Sequence, residues 1–318
     1  MRAVWLKEFG GPDNLLAGQA ADPVAGPGEV LIDVTFANIT FVETQLRAGG
    51  PGPFRPELPV IPGNGVGGVV LAAGPGAGGE LVGQRVVTSL NGSGGYAERV
   101  VVPASAPFGV PDAVPLDEAV ALLADGRTAT ALVRAAGVRD GDRVLVEAAA
   151  GGVGSLLVQL ARNAGATVVA VAGGQRKVEL AQDLGADHAI DYSWSDWPAR
   201  VRAAVGAVDV VFDGVGGDIG TTSFGLVARG GRFLSYGLAS GSWAPVSEKD
   251  AADRGVTVRT GTLGTPVQMR GFTESVLVEA AAGRVKPVIG QRFRLEQAAE
   301  AHRAIESRTT VGKTLLVV

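Results

Sequence analysis

The chain has 318 residues and a formal net charge of −4 at pH 7, and 46% of its residues are hydrophobic while 19% are charged. This balance is typical of a soluble globular protein of about two domains, and the lack of a basic excess argues against a nucleic-acid partner. There is no cysteine and there are only two histidines, which excludes disulfides and thiolate metal sites. We therefore expect chemistry without a metal.

The first residues, "MRAVWLKEFGGPDNL", carry charges where a secretory signal would have its apolar core. No segment approaches the roughly 20 uninterrupted apolar residues of a membrane span. The expected location is the cytoplasm, without a membrane partner.

The part of the chain before residue 115 has short strands between segments rich in proline and glycine. "EVLIDVTF" and "GQRVVTSL" are the clearest strands, and "GPGPFRPELPVIPGNG" is the longest of the intervening segments. Strands that are punctuated in this way indicate an antiparallel barrel or sandwich.

From Asp142 onward, apolar β-branched runs alternate with amphipathic segments. The predicted strands are 142–149, 166–172, 188–192, 208–215, 231–237 and 256–261, and the predicted helices are a segment ending near 163, then 175–184, 197–205 and 219–228. Apolar strands that alternate with helices predict a doubly wound α/β domain with a parallel sheet. The last residues, "LEQAAEAHRAIESRTTVGKTLLVV", predict a helix and a strand that return to the first domain.

A glycine-rich segment, "EAAAGGVGSLLVQLARNAGA", joins the first of these strands to its helix. Gly151 and Gly152 would let the backbone approach a diphosphate, and Gly154 would let the helix pack closely on the strand. Ala149 replaces the first glycine of the G-x-G-x-x-G pattern. The alternative is that these small residues serve only tight packing.

The second strand of this domain ends in "VAGGQRK". An NAD site usually has an acidic residue here for the ribose hydroxyl, whereas this chain has Arg176 and Lys177. Two cations suit the 2′-phosphate of NADPH, and the alternative is a solvated first turn of a surface helix. The pattern favours NADPH.

The segment "AAAGGVGSLLVQLARNAGATVVAVAGGQRKVELAQDLGADHAIDY" resembles the zinc-independent quinone oxidoreductases of the medium-chain dehydrogenase/reductase superfamily. "PVIPGNGVGGVV", "DVVFDGVGG", "GRFLSYG" and "VGKTLLVV" extend the resemblance over nearly the whole chain. It implies a GroES-like β-barrel domain (1–122) interrupted by a Rossmann coenzyme domain (123–262), with 263–318 returning to the first domain. Zinc-dependent relatives need a cysteine and a histidine–glutamate pair, and Asn64 and Gly65 occupy the place of that pair here.

The resemblance also implies a set of NADPH contacts. The diphosphate contacts are Ala150, Gly151, Gly152, Val153 and Gly154, and the contacts around the adenosine 2′-phosphate are Gly173, Gly174, Arg176, Lys177, Tyr192 and Arg308. Tyr236 in "LSYG" is a further candidate contact. The alternatives are that Tyr192 only caps a strand, that Arg308 is a helix-end cation and that Tyr236 is simply buried.

Candidate substrate residues lie in "TFVETQLRAG" (40–49) and in two other segments. Thr40, Asn64 and Thr128 are the predicted donors to a developing oxyanion. The alternative for Thr128 is a helix cap. We expect Glu43 and Arg47, at i and i+4, to pair on a short helix. Members of the family often have tyrosines where this chain has Gln45 and Pro51.

These features predict an NADPH-dependent reductase that passes a hydride to a quinone without metal or flavin. One alternative is an enone, enoyl or 2-alkenal reductase in a biosynthetic pathway. Another is a crystallin-like protein that binds NADPH without turnover. The segment 255–264 is the candidate edge strand of a homodimer.

Overall fold

The computed structural model describes residues 1–50, 56–261 and 263–318. These residues form two compact units, of which the first contains Met1–Ala124, Leu277–Ala281 and Pro287–Val318 and the second contains Asp125–Val276 and Ala282–Lys286. The boundaries between the two units therefore lie after residues 124 and 276. The division after residues 122 and 262 stays a prediction.

The described residues contain the following helices and strands, in chain order. The chain begins with β1 (Arg2–Leu6), β2 (Leu15–Gln19), β3 (Glu29–Ile39), α1 (Phe41–Arg47), β4 (Gly65–Ala73), β5 (Arg85–Ser89), β6 (Arg99–Pro103), β7 (Phe108–Gly109) and α2 (Leu116–Ala136). It continues with β8 (Arg143–Glu147), α3 (Gly152–Asn163), β9 (Thr167–Ala172), α4 (Gln175–Asp183), β10 (His188–Asp191), α5 (Trp197–Val205), β11 (Val208–Asp213) and α6 (Gly217–Phe224). The last elements are β12 (Val227–Ser235), α7 (Glu248–Arg254), β13 (Thr257–Thr260), α8 (Pro266–Ala281), β14 (Ile289–Arg294), α9 (Ala298–Glu306) and β15 (Lys313–Val317).

The first unit is built on a sheet with the strand order β14-β15-β3-β4-β5-β7, in which β6 also pairs with β3. Strand β3 pairs antiparallel with β4, β6 and β15, so the last strand of the chain returns to this unit as predicted. Alternate residues of β3, including Val30, Ile32 and Val34, are buried in its core. This period of two is typical of a strand that has one face on the core.

The second unit has a six-stranded parallel sheet with the order β10-β9-β8-β11-β12-β13. Its central strands are fully buried valine-rich runs, because helices cover both faces of such a sheet. The chain leaves β8 toward β9 on one side, and β11 lies on the other side of β8. This is the doubly wound order, with its switch point between β8 and β11.

Several predicted boundaries in the second unit are wrong, and the largest differences are at 219–228 and at the strand predicted at 231–237. The predicted helix 219–228 ends earlier, since α6 stops at Phe224 and β12 begins at Val227. Leu226 and Val227 are buried in the core of this unit, so packing decides their conformation. None of the described helices is long and apolar enough to cross a membrane.

Candidate cofactor and active site

The glycine-rich loop lies at the carboxyl end of β8, next to the switch point of the sheet. The dinucleotide of a doubly wound domain binds in the crevice at this point. Helix α3 begins at Gly152 immediately after the loop, so the unpaired N–H groups of its first turn face that crevice. Ala150 and the predicted glycines therefore lie together at one helix N-terminus.

Gly154 is required by the contact between helix and strand. A Cβ on Gly154 would lie 2.3 Å from the carbonyl oxygen of Ala148, closer than any side chain tolerates. Ala148 itself has a φ of 46°, in the left-handed region. The loop is therefore a tight turn in which the helix start is held against the end of the strand.

A second cluster of predicted residues lies at the carboxyl end of β9, where the adenosine end of NADPH is predicted to bind. A Cβ on Gly173 would lie 3.0 Å from the ring of Tyr192, so the ring packs directly on this glycine. Gly174 has a φ of 88° and donates its N–H to Asp191 Oδ1 at 3.1 Å. In the first turn of α4, Lys177 is half-buried and Arg176 is exposed.

These residues fit NADPH. Gly154 and Gly173 leave no room for a side chain, so the cofactor can contact the backbone there directly. Two cations follow the end of β9, at the position where NAD-binding sites have an acidic residue. Sequence reasoning missed Asp191, although it is a carboxylate at the end of a predicted strand. It fixes the loop by binding the backbone of Gly174.

Asp125 is an acid at the diphosphate loop that sequence reasoning missed. It is 8% exposed, and a Cβ on Gly152 would lie 2.0 Å from its Oδ2. Arg127 is nearby on α2, where burial lowers its pKa while the charge of Asp125 opposes that change. The Nε of Arg127 is buried and has no hydrogen-bond partner among the described residues.

Three predicted donors are distributed over the two units. In the first unit, Thr40 Oγ1 donates to Glu43 Oε2 at 2.9 Å, so the hydroxyl proton of Thr40 is already engaged in a hydrogen bond within the protein. Asn64 donates its backbone N–H to Glu43 Oε1 at 2.8 Å. In the second unit, Thr128 is half-buried inside α2, which excludes the helix-cap interpretation. The catalytic roles of all three stay predictions.

The side chain of Asn64 is fixed by its oxygen. Asn64 Oδ1 accepts the backbone N–H groups of Gly92 at 2.7 Å and Leu90 at 3.3 Å. Its amide nitrogen donates to no residue in the described part of the chain. Asn64 therefore presents an oriented N–H donor on a half-buried surface.

The predicted pairing of Glu43 with Arg47 is wrong. Arg47 pairs with Glu306 on α9 and donates to the carbonyl of Gly10, whereas Glu43 accepts from Thr40 and Asn64. Burial raises the pKa of Glu43, although these donors oppose the rise. Glu43 therefore holds the two candidate donors in place.

A buried histidine lies close to Arg47. Tyr96 Oη and His302 Nε2 are 2.9 Å apart, and both side chains are fully buried. Burial and, secondarily, the charge of Arg47 lower the pKa of His302 to about 3. His302 is thus a neutral structural residue in the first unit.

Other predicted residues have simpler positions. Arg308 is exposed just after α9 with a φ of 57°, and its phosphate contact stays a prediction. Pro51 lies outside the residues that the structure describes, as does Thr262 in the predicted edge segment. Across residues 1–50, 56–261 and 263–318, no three histidine, aspartate or glutamate side chains are grouped so that they could hold a metal ion.

Comparison with known proteins gives the family. A model of the alcohol dehydrogenase GroES-like domain matches residues 26–112, and a model described as zinc-binding dehydrogenase matches residues 152–277. Human quinone oxidoreductase is 30% identical over 325 residues, covering 100% of this chain and 98% of that protein. The chain belongs to the quinone oxidoreductase group of the medium-chain dehydrogenase/reductase superfamily.

Two further members of the superfamily are similar over their full lengths. The 2-haloacrylate reductase of a Burkholderia species is 33% identical over 327 residues, covering 99% of this chain and 98% of that protein. A crystal structure of Escherichia coli quinone oxidoreductase in complex with NADPH has a TM-score of 0.91 at 28% identity, covering 100% of both chains. This chain is therefore an NADPH-dependent oxidoreductase with a GroES-like domain and a Rossmann domain, and both predictions are confirmed.

Proposed function

We propose that this reductase transfers a hydride from NADPH to a quinone. The observation that carries the proposal is the oriented amide of Asn64, which is a neutral donor held by two backbone N–H groups. A quinone needs such a donor for the oxygen that becomes anionic, and water can supply the final proton. The similarity to quinone oxidoreductases supports this substrate class.

NADPH supplies the hydride when it is bound. The chain binds and orients it with the N-terminus of α3, with the Gly173–Tyr192 contact and with Lys177. Glu43 holds the backbone of Asn64, so that the amide is fixed before the acceptor arrives. No charged side chain is required to move a proton.

Reduction of an activated alkene is the second candidate. Arg127 favours it, because a half-buried guanidinium whose Nε has no partner among the described residues suits the carboxylate of an unsaturated acid. A 2-haloacrylate reductase is among the similar proteins. Gln45, where relatives often have a tyrosine, also fits a pocket that differs from that of a typical quinone reductase.

Steady-state kinetics with NADPH separates the candidates. The acceptors are 1,4-benzoquinone, 9,10-phenanthrenequinone, a 2-alkenal and 2-chloroacrylate. The quinone proposal predicts the highest kcat/KM for a quinone and a loss of roughly 100-fold in Asn64→Ala, because one oxyanion donor is worth about that factor. A higher kcat/KM for 2-chloroacrylate that collapses in Arg127→Met favours the alkene instead.

We also propose a homodimer that pairs the β13 edges of two copies. All four residues of β13 are exposed at the edge of the sheet, and Val258 adds an apolar side chain there. Light scattering after size exclusion should give twice the chain mass, and Val258→Pro should give the monomer. A wild-type monomer at all concentrations contradicts this proposal. The cytoplasmic location stays a prediction.

A further inference from the structure

Two buried carboxyl groups lie side by side at the switch point of the sheet. Phe212 pairs with Val146 in the register of β11 and β8, and the next residues along these strands are Asp213 and Glu147. Parallel strands in register direct such side chains to the same face of the sheet. Neither residue has any exposed surface. The pair therefore lies at the floor of the crevice in which NADPH binds.

The two carboxyl groups share one backbone donor. Val215 donates its N–H to Glu147 Oε2 at 3.2 Å and to Asp213 Oδ1 at 3.1 Å. Asp213 also accepts the N–H of Gly216 and the hydroxyl of Ser235, each at 2.6 Å. Glu147 Oε1 accepts from no described residue. Asp213 accepts three donors, whereas Glu147 accepts from the described residues only the shared N–H of Val215 and has one oxygen without a donor among them, so the proton belongs on Glu147.

The surroundings of the pair keep that proton in place. Burial first, and then the charge of Asp213, raise the pKa of Glu147 well above its usual range, while the Ser223 hydroxyl on α6 opposes the rise. The other titratable groups that face this cluster are also acids: burial and the charges of Glu147, Asp213 and Asp125 raise the pKa of Tyr236. Arg127 faces Asp125 and not Glu147.

Ionised Glu147 would disturb the crevice in two ways. It would place a second negative charge beneath the position of the anionic diphosphate. It would also repel Asp213, because both carboxyl groups accept the backbone N–H of Val215. Val215 and Gly216 form the turn after β11, so this repulsion would disturb the turn. Both effects weaken the binding of a dinucleotide, and neither depends on the electron acceptor.

We propose that Glu147 is a positioning residue whose carboxyl proton is required for tight NADPH binding. At a pH where Glu147 of the free enzyme is ionised, NADPH binding then takes up one proton. Glu147→Gln keeps the neutral shape and cannot ionise. Its affinity for NADPH should therefore lose the alkaline pH dependence of the wild type.

Calorimetric titration with NADPH from neutral pH to the most alkaline pH at which the enzyme stays folded, in buffers of different ionisation enthalpy, tests this proposal. In the wild type we expect Kd to rise by up to about tenfold per pH unit once Glu147 ionises, with proton uptake approaching one. Glu147→Gln should keep the neutral-pH Kd throughout and take up no proton. Glu248→Gln, an exposed site on α7, should behave like the wild type.

Turnover gives a second readout. The KM for NADPH should rise at alkaline pH in the wild type and should rise much less in Glu147→Gln. Equal pH dependence in both proteins overturns the proposal. If Glu147→Gln does not fold, proton uptake by the wild type decides alone, and a value of zero across the range overturns the proposal. The calorimetric outcomes do not depend on the quinone proposal, because binding is measured without an acceptor.

Discussion

At the residue scale, we predict that Lys177 determines the preference for NADPH over NADH. Lys177 is half-buried in the first turn of α4, just after Gly173, on which Tyr192 packs. Lys177→Ala should weaken NADPH binding by roughly 10- to 100-fold, because a hydrogen bond to a charged group is worth about 1.5–3 kcal/mol. NADH binding should change by less than about threefold, since NADH lacks the 2′-phosphate. The measurement is Kd by quenching of protein fluorescence.

The control for this change is Lys249→Ala. Lys249 is an exposed helical lysine on α7 that pairs with Asp253 at i+4, so its removal takes away the same charge at another place. It should leave both affinities unchanged. An equal loss of NADPH and NADH affinity in Lys177→Ala contradicts the assignment of Lys177 to the 2′-phosphate.

For Asp125 we predict the opposite effect on NADPH affinity, namely tighter binding when its charge is removed. Its carboxylate lies against Gly152 at the start of α3, where the diphosphate is predicted to bind. Asp125→Asn should tighten NADPH binding by roughly fivefold, because a charge repulsion near a protein surface is worth about 1 kcal/mol or more. Asp253→Asn on α7 should have no effect. Weaker NADPH binding in Asp125→Asn would show that the carboxylate contributes to the site.

The sequence predicted the residues of the glycine loop more readily than the acids around it. Gly154 belongs to a local motif, and its close approach to Ala148 follows from chain neighbours alone. The contact of Asp125 with Gly152, by contrast, joins residues far apart in the chain. The Glu43–Arg47 pair failed for the same reason, since Arg47 finds Glu306 on another element. One usable signal was missed: Glu147 is a charge that directly follows the apolar run 144–146 of β8.

The junction of β8 with α3 is the element on which the cofactor site depends. Gly154→Ala should destabilise the protein by about 1–3 kcal/mol, because the added Cβ overlaps the carbonyl of Ala148. NADPH affinity should fall as well, since the helix start must move. Thermal unfolding with and without NADPH measures both effects.

Gly271→Ala is the matched control. Gly271 is exposed on α8, and a Cβ there would meet nothing within 4 Å. The change should be neutral or stabilising by up to about 1 kcal/mol, because alanine favours a helix. If Gly154→Ala unfolds and binds NADPH like Gly271→Ala, the close packing of α3 on β8 does not determine the site.

Long elements of the second unit were predicted closely, whereas helices α2, α7 and α8 were not predicted. The predicted helix 197–205 has the same bounds as α5, and the predicted strand 166–172 differs from β9 by one residue. Helix α2 is rich in alanine and buried over much of its length, so it shows little amphipathic pattern. Helix α8 also lacks a clear apolar face. Neither α2 nor α8 therefore has the periodic pattern of apolar residues from which a helix can be predicted.

At the scale of the whole molecule, His302 links stability to pH. The pKa of His302 is lowered to about 3 in the folded protein from an ordinary value of 6.5, so the unfolded chain binds its proton more tightly. This contribution is fully present above pH 6.5 and is lost as the pH falls toward 3. The free energy of unfolding should decline by up to about 1.4 kcal/mol per pH unit in that window.

His302→Gln isolates this effect. Glutamine can keep a hydrogen bond to Tyr96 and does not titrate. Chemical denaturation between pH 7 and 4 should therefore show a shallower decline for His302→Gln than for the wild type. Parallel curves for the two proteins contradict a buried neutral histidine.

The most direct test of hydride transfer from NADPH to a quinone is a single turnover of the NADPH complex. The enzyme with one equivalent of NADPH is mixed rapidly with 9,10-phenanthrenequinone, without added flavin, and the experiment is repeated with NADPH deuterated at the transferred position. Direct transfer predicts oxidation at a rate that saturates with quinone and that deuterium slows. Bound NADPH that stays reduced, or oxidation that occurs only after flavin is added, would contradict direct hydride transfer.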